Sequence, residues 1–209
     1  MCDAVVKGEV ETCAKAAKDA LDAGLDAYET LKEGCAKGMA IMSDKYEKRE
    51  AFVPEILASA EAMYAAIDIL KPYIKVPPTV VPGKIILGVC EGDIHDIGKN
   101  IIKIFLEIAG NTVIDLGRDV RLKAFIEKVR EEKPDILAMS ALMTTSMLGM
   151  PDTIELLKDA GLRDGVKVII GGAPISDAFA EKIGADGYGK DAPAALKTVE
   201  GLIKELRGN

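Results

Sequence analysis

Tryptophan is absent from the 209 residues, histidine occurs once, and aromatic residues make up only 4% of the chain. A core built from such a chain buries aliphatic rather than aromatic surface. Basic charge is in deficit: 27 Lys and Arg against 34 Asp and Glu leave a net charge of −7. That balance argues against nucleic acid as a partner, because phosphates need basic patches. No apolar run approaches the roughly 20 residues that span a bilayer. Met1-Cys2-Asp3-Ala4 opens the chain without a basic-then-apolar signal. A cytoplasmic protein with no membrane partner is expected. Cys2, Cys13, Cys35 and Cys90 form no Cys-x-x-Cys pair, so their spacing supports neither zinc nor an iron–sulfur cluster. They read as free structural thiols, with Cys90 packed at a strand end.

The length suits one large or two small domains. Residues 1–74 carry helical periodicity throughout. One apolar stripe runs through Cys13, Ala16, Ala17, Ala20 and Leu21 and is interrupted by Gly24. Leu25, Tyr28, Leu31 and Cys35 form a second, and Met39, Met42 and Tyr46 continue beyond Gly38. The longest runs from Phe52 to Leu70. Short helices with narrow apolar faces must bury them on one another, which predicts an N-terminal four-helix bundle. Pro72, Pro77, Pro78 and Pro82 then mark a proline-rich linker over residues 75–83.

From residue 84 to 209 strand and helix patterns alternate. Strands are expected at Lys84–Cys90, Thr112–Leu116, Asp135–Ser140, Val166–Ile170 and near Gly187-Tyr188. Helices are expected at Ile97–Ala109, Val120–Glu131, around Thr153–Ala160, at Ser176–Ile183 and from about Pro193 to Leu206. This alternation predicts an α/β architecture: a Rossmann-like (flavodoxin-like) doubly wound five-stranded parallel sheet.

The single histidine lies in Glu91-Gly92-Asp93-Ile94-His95-Asp96-Ile97-Gly98-Lys99-Asn100. That stretch is the loop at the carboxyl end of the first strand, where open α/β sheets bind ligands. Asp93 is spaced to accept the proton on one ring nitrogen, which leaves the other as a lone pair directed at a metal. Gly98 permits close approach of a large ligand at the helix start. A dinucleotide-binding sheet would instead want Gly-x-Gly-x-x-Gly here, and a phosphate cradle gains nothing from two carboxylates. A response-regulator-like acidic cluster would not require His95.

Three further loops reach the same edge. Ser140-Ala141-Leu142-Met143-Thr144-Thr145-Ser146-Met147 brings hydroxyls there, although such residues also suit helix caps. Gly171-Gly172-Ala173-Pro174 leaves room for a flat group between backbone walls. Gly187-Tyr188-Gly189-Lys190-Asp191-Ala192 is a third, glycine-rich edge.

Nearly the whole chain resembles the corrinoid methyl-carrier proteins of methylamine, methanol and methoxy-compound methyltransferase systems, and the sheet half is similar to the cobalamin module of methionine synthase. The resemblance implies that cobalamin buries its own lower base in the sheet domain and takes His95 as the cobalt ligand. Asp93 would hydrogen-bond His95, and Ser146 would hydrogen-bond Asp93. Ser140 and Thr144 match tail-binding hydroxyls, Gly171 and Gly172 the tail slot, and Ala192 a contact in the last loop; Gly92, Ile94, Asp96 and Gly98 are further cofactor contacts. In the helical half Tyr46, Val53 and Ile56 match positions that cap the upper face of the corrin, where an apolar lid keeps water from the reactive cobalt, with the linker as its hinge. The implied activity is methyl carriage, through methylcobalamin, from a substrate:corrinoid methyltransferase to a methyl-corrinoid:acceptor methyltransferase acting on a thiol or tetrahydrofolate, with a reductive activase as third partner. Cobalamin storage, delivery or sensing are the alternative roles.

Overall fold

A computed structural model describes residues 1–75 and 81–208, without the side chains of 43, 46, 47, 53 and 108. The chain divides into two compact units, Met1–Lys75 and Val76–Asn209. Most of the linker (76–80) lies outside the described residues. No helix among those described is long and apolar enough to cross a membrane.

The first unit is all helical. It comprises α1 (Cys2–Val6), α2 (Val10–Asp22), α3 (Ala27–Thr30), a π-helical stretch Leu31–Ala36, α4 (Lys37–Glu47), α5 (Val53–Leu70) and a 3₁₀ turn at Lys71–Tyr73. Helix α2 ends where Gly24 was expected to break it. Gly24 adopts φ +74°, its N–H donates to Leu21 C=O, and the N–H of Leu25 donates to Ala20 C=O, the Schellman arrangement that closes a helix on glycine. Gly38 does not act as a break. Residues 27–47 form one unbroken helical run that joins the second and third predicted stripes. Here glycine serves close packing: a Cβ on Gly38 would lie 2.7 Å from Val5 Cβ, and one on Gly34 would collide with the Met1 side chain. The two glycines therefore admit α1 against the run, and this five-residue helix is the bundle member that the periodicity did not show. Helix α5 starts where Glu55 accepts the Phe52 N–H at 2.8 Å, half of a capping box. Cys13 and Cys35 lie fully buried in this core. Burial pushes the Cys35 thiol up to about 12, so it stays protonated and inert.

The second unit is the expected parallel sheet. Strands β1 (Lys84–Val89), β2 (Thr112–Asp115), β3 (Ile136–Ser140), β4 (Lys167–Gly171) and β5 (Gly187–Gly189) alternate with helices α6 (Ile97–Ile108), α7 (Leu122–Glu132), α8 (Gly149–Asp159), α9 (Asp177–Ile183) and α10 (Ala192–Leu206). Their order is β2-β1-β3-β4-β5, and each neighbouring pair is parallel. Strand side chains alternate between two cores. Ile86, Leu137, Met139, Val168 and Ile170 pack with α7, α8 and α9. Ile85, Leu87, Ile136, Ala138 and Ile169 pack with Leu106 of α6 and the apolar stripe of α10. The strand order reverses direction between β1 and β3, so the loops leaving these two strands diverge and open a crevice at the carboxyl edge. Val120 was read as helical but instead bridges to Cys90, which lengthens the β1 edge; α7 begins two residues later.

One buried cation holds this edge in place. Lys99, 1% exposed, pairs with Asp115 Oδ1 at 2.6 Å, and Lys103 reaches Oδ2 at 3.2 Å. The same carboxylate accepts the Gly117 N–H at 2.9 Å, so the first turn of α6 is tied to the end of β2. Burial raises the Asp115 carboxyl, but the Lys99 hydrogen bond, the Gly117 N–H and the lysine charges together hold it below its usual range. Lys99→Met leaves that carboxylate with one weaker cation and is expected to cost about 2–3 kcal/mol. The check is a lower urea midpoint at unchanged slope; an unmoved midpoint would show the pair to be structurally idle.

Candidate functional site

The site is assembled from the two loops that flank the crevice. The β1 loop turns tightly at residues 90–93: Asp93 N–H donates to Cys90 C=O at 3.1 Å, and Gly92 takes φ +80°, the value that type II turns reserve for glycine at their third position. The turn drives the Asp93 side chain into the protein, where it is fully buried. Its Oδ1 accepts two bonds from His95, from the backbone N–H at 3.0 Å and from ring Nδ1 at 2.7 Å. Its Oδ2 accepts three from the β3 loop: Leu142 N–H at 2.7 Å, Met143 N–H at 3.2 Å and Ser146 Oγ at 2.8 Å.

These bonds decide the charge state. Burial pushes the Asp93 carboxyl up, but the His95 N–H, Leu142 N–H, Ser146 hydroxyl and His95 ring more than offset it and bring it down to about 2. At neutral pH Asp93 is therefore an anion that only accepts. A neutral imidazole facing it must carry its proton on Nδ1, which leaves the lone pair on Nε2. The His95 side chain is 48% exposed, so the ring is locked at one nitrogen and accessible to a ligand. Among the described residues no three His, Cys, Asp or Glu side chains gather as a metal cage. His95 thus offers one bond to a metal whose remaining bonds would have to come from the metal's own cofactor.

The other residues singled out from the sequence fall as follows. Ile94, 63% exposed, stands beside His95, and Leu142, Met143 and Leu148 are exposed apolar side chains of the facing loop. Asp96 precedes α6 without making a side-chain cap bond. Gly98, the second residue of α6, faces open space, because an added Cβ would meet nothing within 4 Å. Ser140 ends β3, and Thr144 is exposed. The expected helix cap among these hydroxyls is not made: Thr145 heads the 3₁₀ turn Ser146–Leu148 without a side-chain cap bond, and Ser146 serves Asp93 instead. Gly171 pairs with Gly189 across β4 and β5, and a Cβ on it would sit 2.8 Å from the Gly189 carbonyl oxygen. Gly172, at φ +127°, has no room for a side chain, which would overlap the Ala141 carbonyl oxygen. Ala192 is buried at the first position of α10. Ile56 is half-buried on α5, while the side chains of Tyr46 and Val53 lie outside the described residues.

Two contributions escaped the sequence reading. The Leu142 and Met143 amides act through the backbone, which residue type does not disclose. Asp119, from the β2 loop, accepts the Gly92 N–H at 2.8 Å; its mark in the sequence was an acidic residue two places after Gly117.

A locked imidazole with one nitrogen directed away from Asp93, in an accessible ring with exposed apolar side chains on the two loops, suits a metal carried in a large cofactor of its own. The comparisons agree. A B12 binding domain matches residues 83–197, and a second B12 binding domain matches residues 1–71. Trimethylamine corrinoid protein 2 of Methanosarcina acetivorans is 46% identical over 97% of this chain and 94% of its own. The structure of the Methanosarcina barkeri monomethylamine corrinoid protein is 39% identical and superimposes with a TM-score of 0.86, covering 96% of this chain and 95% of that one. The methanol:cobalamin methyltransferase complex of M. barkeri contains a chain 31% identical, with a TM-score of 0.55 over 97% of this chain and 77% of that chain. The chain belongs to the corrinoid proteins, the family with B12 binding domains found in methylamine methyltransferase systems, and its cofactor is a corrinoid.

Proposed function

We propose that this protein carries methyl groups on a corrinoid whose cobalt His95 would hold through Nε2. The observation that carries the reading is the chain Ser146–Asp93–His95, whose hydrogen bonds at 2.8 and 2.7 Å engage ring Nδ1 and direct Nε2 of an accessible ring away from Asp93. The bound corrinoid supplies a nucleophilic metal able to accept a methyl group and release it to a second acceptor. The chain's own residues position and protect it. Asp93 sets the tautomer and ring plane of His95, and Ser146 with the Leu142 and Met143 amides keeps Asp93 ionised. Ile94, Leu142, Met143 and Leu148 provide apolar surface around the imidazole. Gly171 and Gly172, with Ser140, Thr144 and Ala192, would border the slot for the corrinoid's lower tail, and Gly92, Ile94, Asp96 and Gly98 would contact the cofactor from the β1 loop and the start of α6.

The relatives' names favour a methylamine as the methyl source, delivered by a substrate:corrinoid methyltransferase. A methyl-corrinoid:acceptor methyltransferase acting on a thiol or tetrahydrofolate would be the second partner, and a reductive activase the third. The deciding experiment uses the uniqueness of His95. Untagged protein labelled with ¹⁴N- or ¹⁵N-histidine is loaded with cobalamin, reduced to cobalt(II) and examined by EPR. The axial nitrogen splitting is expected to change from triplets to doublets with the label. A splitting that ignores the label would mean the cofactor keeps its own base, and storage or delivery would become the better account.

A further inference from the structure

We infer that Asp119 is a positioning residue for His95, acting as a two-point clamp on the loop that carries it; the inference rests on His95 being the axial ligand. Asp119 lies in the β2 loop, and both of its bonds land on the Gly92-Asp93 dipeptide. Its carboxylate Oδ1 accepts the Gly92 N–H at 2.8 Å. Its own backbone N–H donates to the Asp93 carbonyl at 2.9 Å. One residue therefore engages the polar groups at both ends of the dipeptide, which fixes the direction in which the Asp93 side chain leaves the backbone.

The conformation of Asp119 is itself unusual. It adopts φ +54°, one of three non-glycine residues among those described with positive φ. Aspartate and asparagine tolerate this region better than other residues with a β-carbon. The neighbouring backbone is anchored as well: Val120 N–H donates to Val89 C=O, and Val89 N–H to Gly117 C=O. The β2 loop is thus laced to the end of β1 on both sides of Asp119.

Asp93 is consequently held from two directions. The β3 loop grips its carboxylate through Leu142, Met143 and Ser146, and the β2 loop grips its backbone through Asp119. The strand between them, β1, carries the ligand. Losing the carboxylate of Asp119 would free the Gly92 N–H and leave only the Asp119 backbone N–H on the Asp93 carbonyl, so the turn would loosen at one end and the His95 ring would sample a wider range of orientations before a metal could be engaged.

Three substitutions separate the bond from the backbone conformation. Asp119→Asn retains an acceptor oxygen and tolerates positive φ. Asp119→Gly retains the conformation and removes the acceptor. Asp119→Ala removes the acceptor and opposes the conformation. In cobalamin-loaded protein, the ratio of histidine-ligated to unligated cobalt(II), read by EPR, is expected to fall about three- to tenfold in the Gly and Ala variants, the worth of one charge-assisted hydrogen bond in a solvent-exposed loop. It should stay within about twofold in Asn. A second readout needs no cofactor: amide exchange at Gly92 in the apoprotein should accelerate in Gly and Ala and hold in Asn. If Gly matches wild type in both readouts and only Ala is impaired, the residue is there for its backbone and the clamp is refuted. Unchanged ligation in all three variants refutes it equally. If wild-type protein shows no imidazole ligation at all, the axial-ligand reading falls first, and with it the role inferred for Asp119, even where Gly92 exchange still reports the bond.

Discussion

Asp93→Asn is expected to lower the histidine-ligated fraction about tenfold and to cost about 3 kcal/mol of stability, because every polar atom around Asp93 is a donor. Two donors from His95 meet Oδ1, and three from the β3 loop meet Oδ2. An asparagine amide must turn its NH₂ toward one of these groups. Facing the β3 loop, it opposes two backbone amides that cannot move independently of β3. Facing His95, it opposes the backbone N–H and forces ring Nδ1 to become an acceptor, which transfers the proton to Nε2 and blocks the metal-binding nitrogen. Ser146→Ala removes one donor and should cost only about 1 kcal/mol. Histidine ¹⁵N shifts report the tautomer, and urea titration reports the stability.

The same carboxylate makes a pH prediction. Its folded value of about 2 lies below the ordinary 3.8. The stability it contributes is therefore complete above about pH 4 and disappears as pH falls toward 2. The acid branch of the wild-type stability curve should be steeper over that window than the branch of Asp93→Asn, which has no group to titrate there. Coincident branches would show that the Asp93 bonds do not favour the anion.

Gly172→Ala is expected to be the other most damaging single change. At φ +127° a β-carbon is strained wherever it sits, and here it would overlap the Ala141 carbonyl oxygen, a backbone atom. Ala141 is tied in turn by its N–H to Gly171 C=O at 3.1 Å. The ends of β3 and β4 would have to part, at a cost of about 4 kcal/mol, and corrinoid loading should fall by more than tenfold. Gly98→Ala is the control, since its β-carbon meets only open space. It should fold normally and weaken corrinoid binding only if the cofactor comes close to α6. Normal folding of Gly172→Ala would mean that the backbone there relaxes more easily than its neighbours allow.

The sheet was legible because its strands are apolar, β-branched and punctuated by glycine, and because each helix carries an amphipathic stripe. The Asp93–His95 contact was legible because a two-residue spacing in a loop brings the groups together by local geometry. The bond from Ser146 was reachable only through family resemblance, since it closes over 53 residues. Elsewhere, residue type misled or said nothing. Gly38 resembles a helix break by composition, yet it is the gap that admits Val5. Lys99 has the composition of a surface residue but is buried, because Asp115 arrives from another strand to meet it. Asp119 depends on where the β2 loop passes relative to β1. These features are set by long-range juxtaposition, which local pattern does not encode.

The grip of the β3 loop on Asp93 bears on the order in which the protein becomes competent. Contacts from Asp93 to Leu142, Met143 and Ser146 close over 49, 50 and 53 residues, and contacts of such separation are made late, once the intervening chain has collapsed. A nascent chain that has emerged only as far as α7 already contains the imidazole and Asp93 but not the β3-loop donors that hold Asp93 in place. Without those donors the Asp93 side chain is free to swing away, and the ring to rotate with it. Competence to take up cobalt thus arrives with the docking of β3 beside β1, so the metal would be recruited by finished sheets and passed over by partly folded ones.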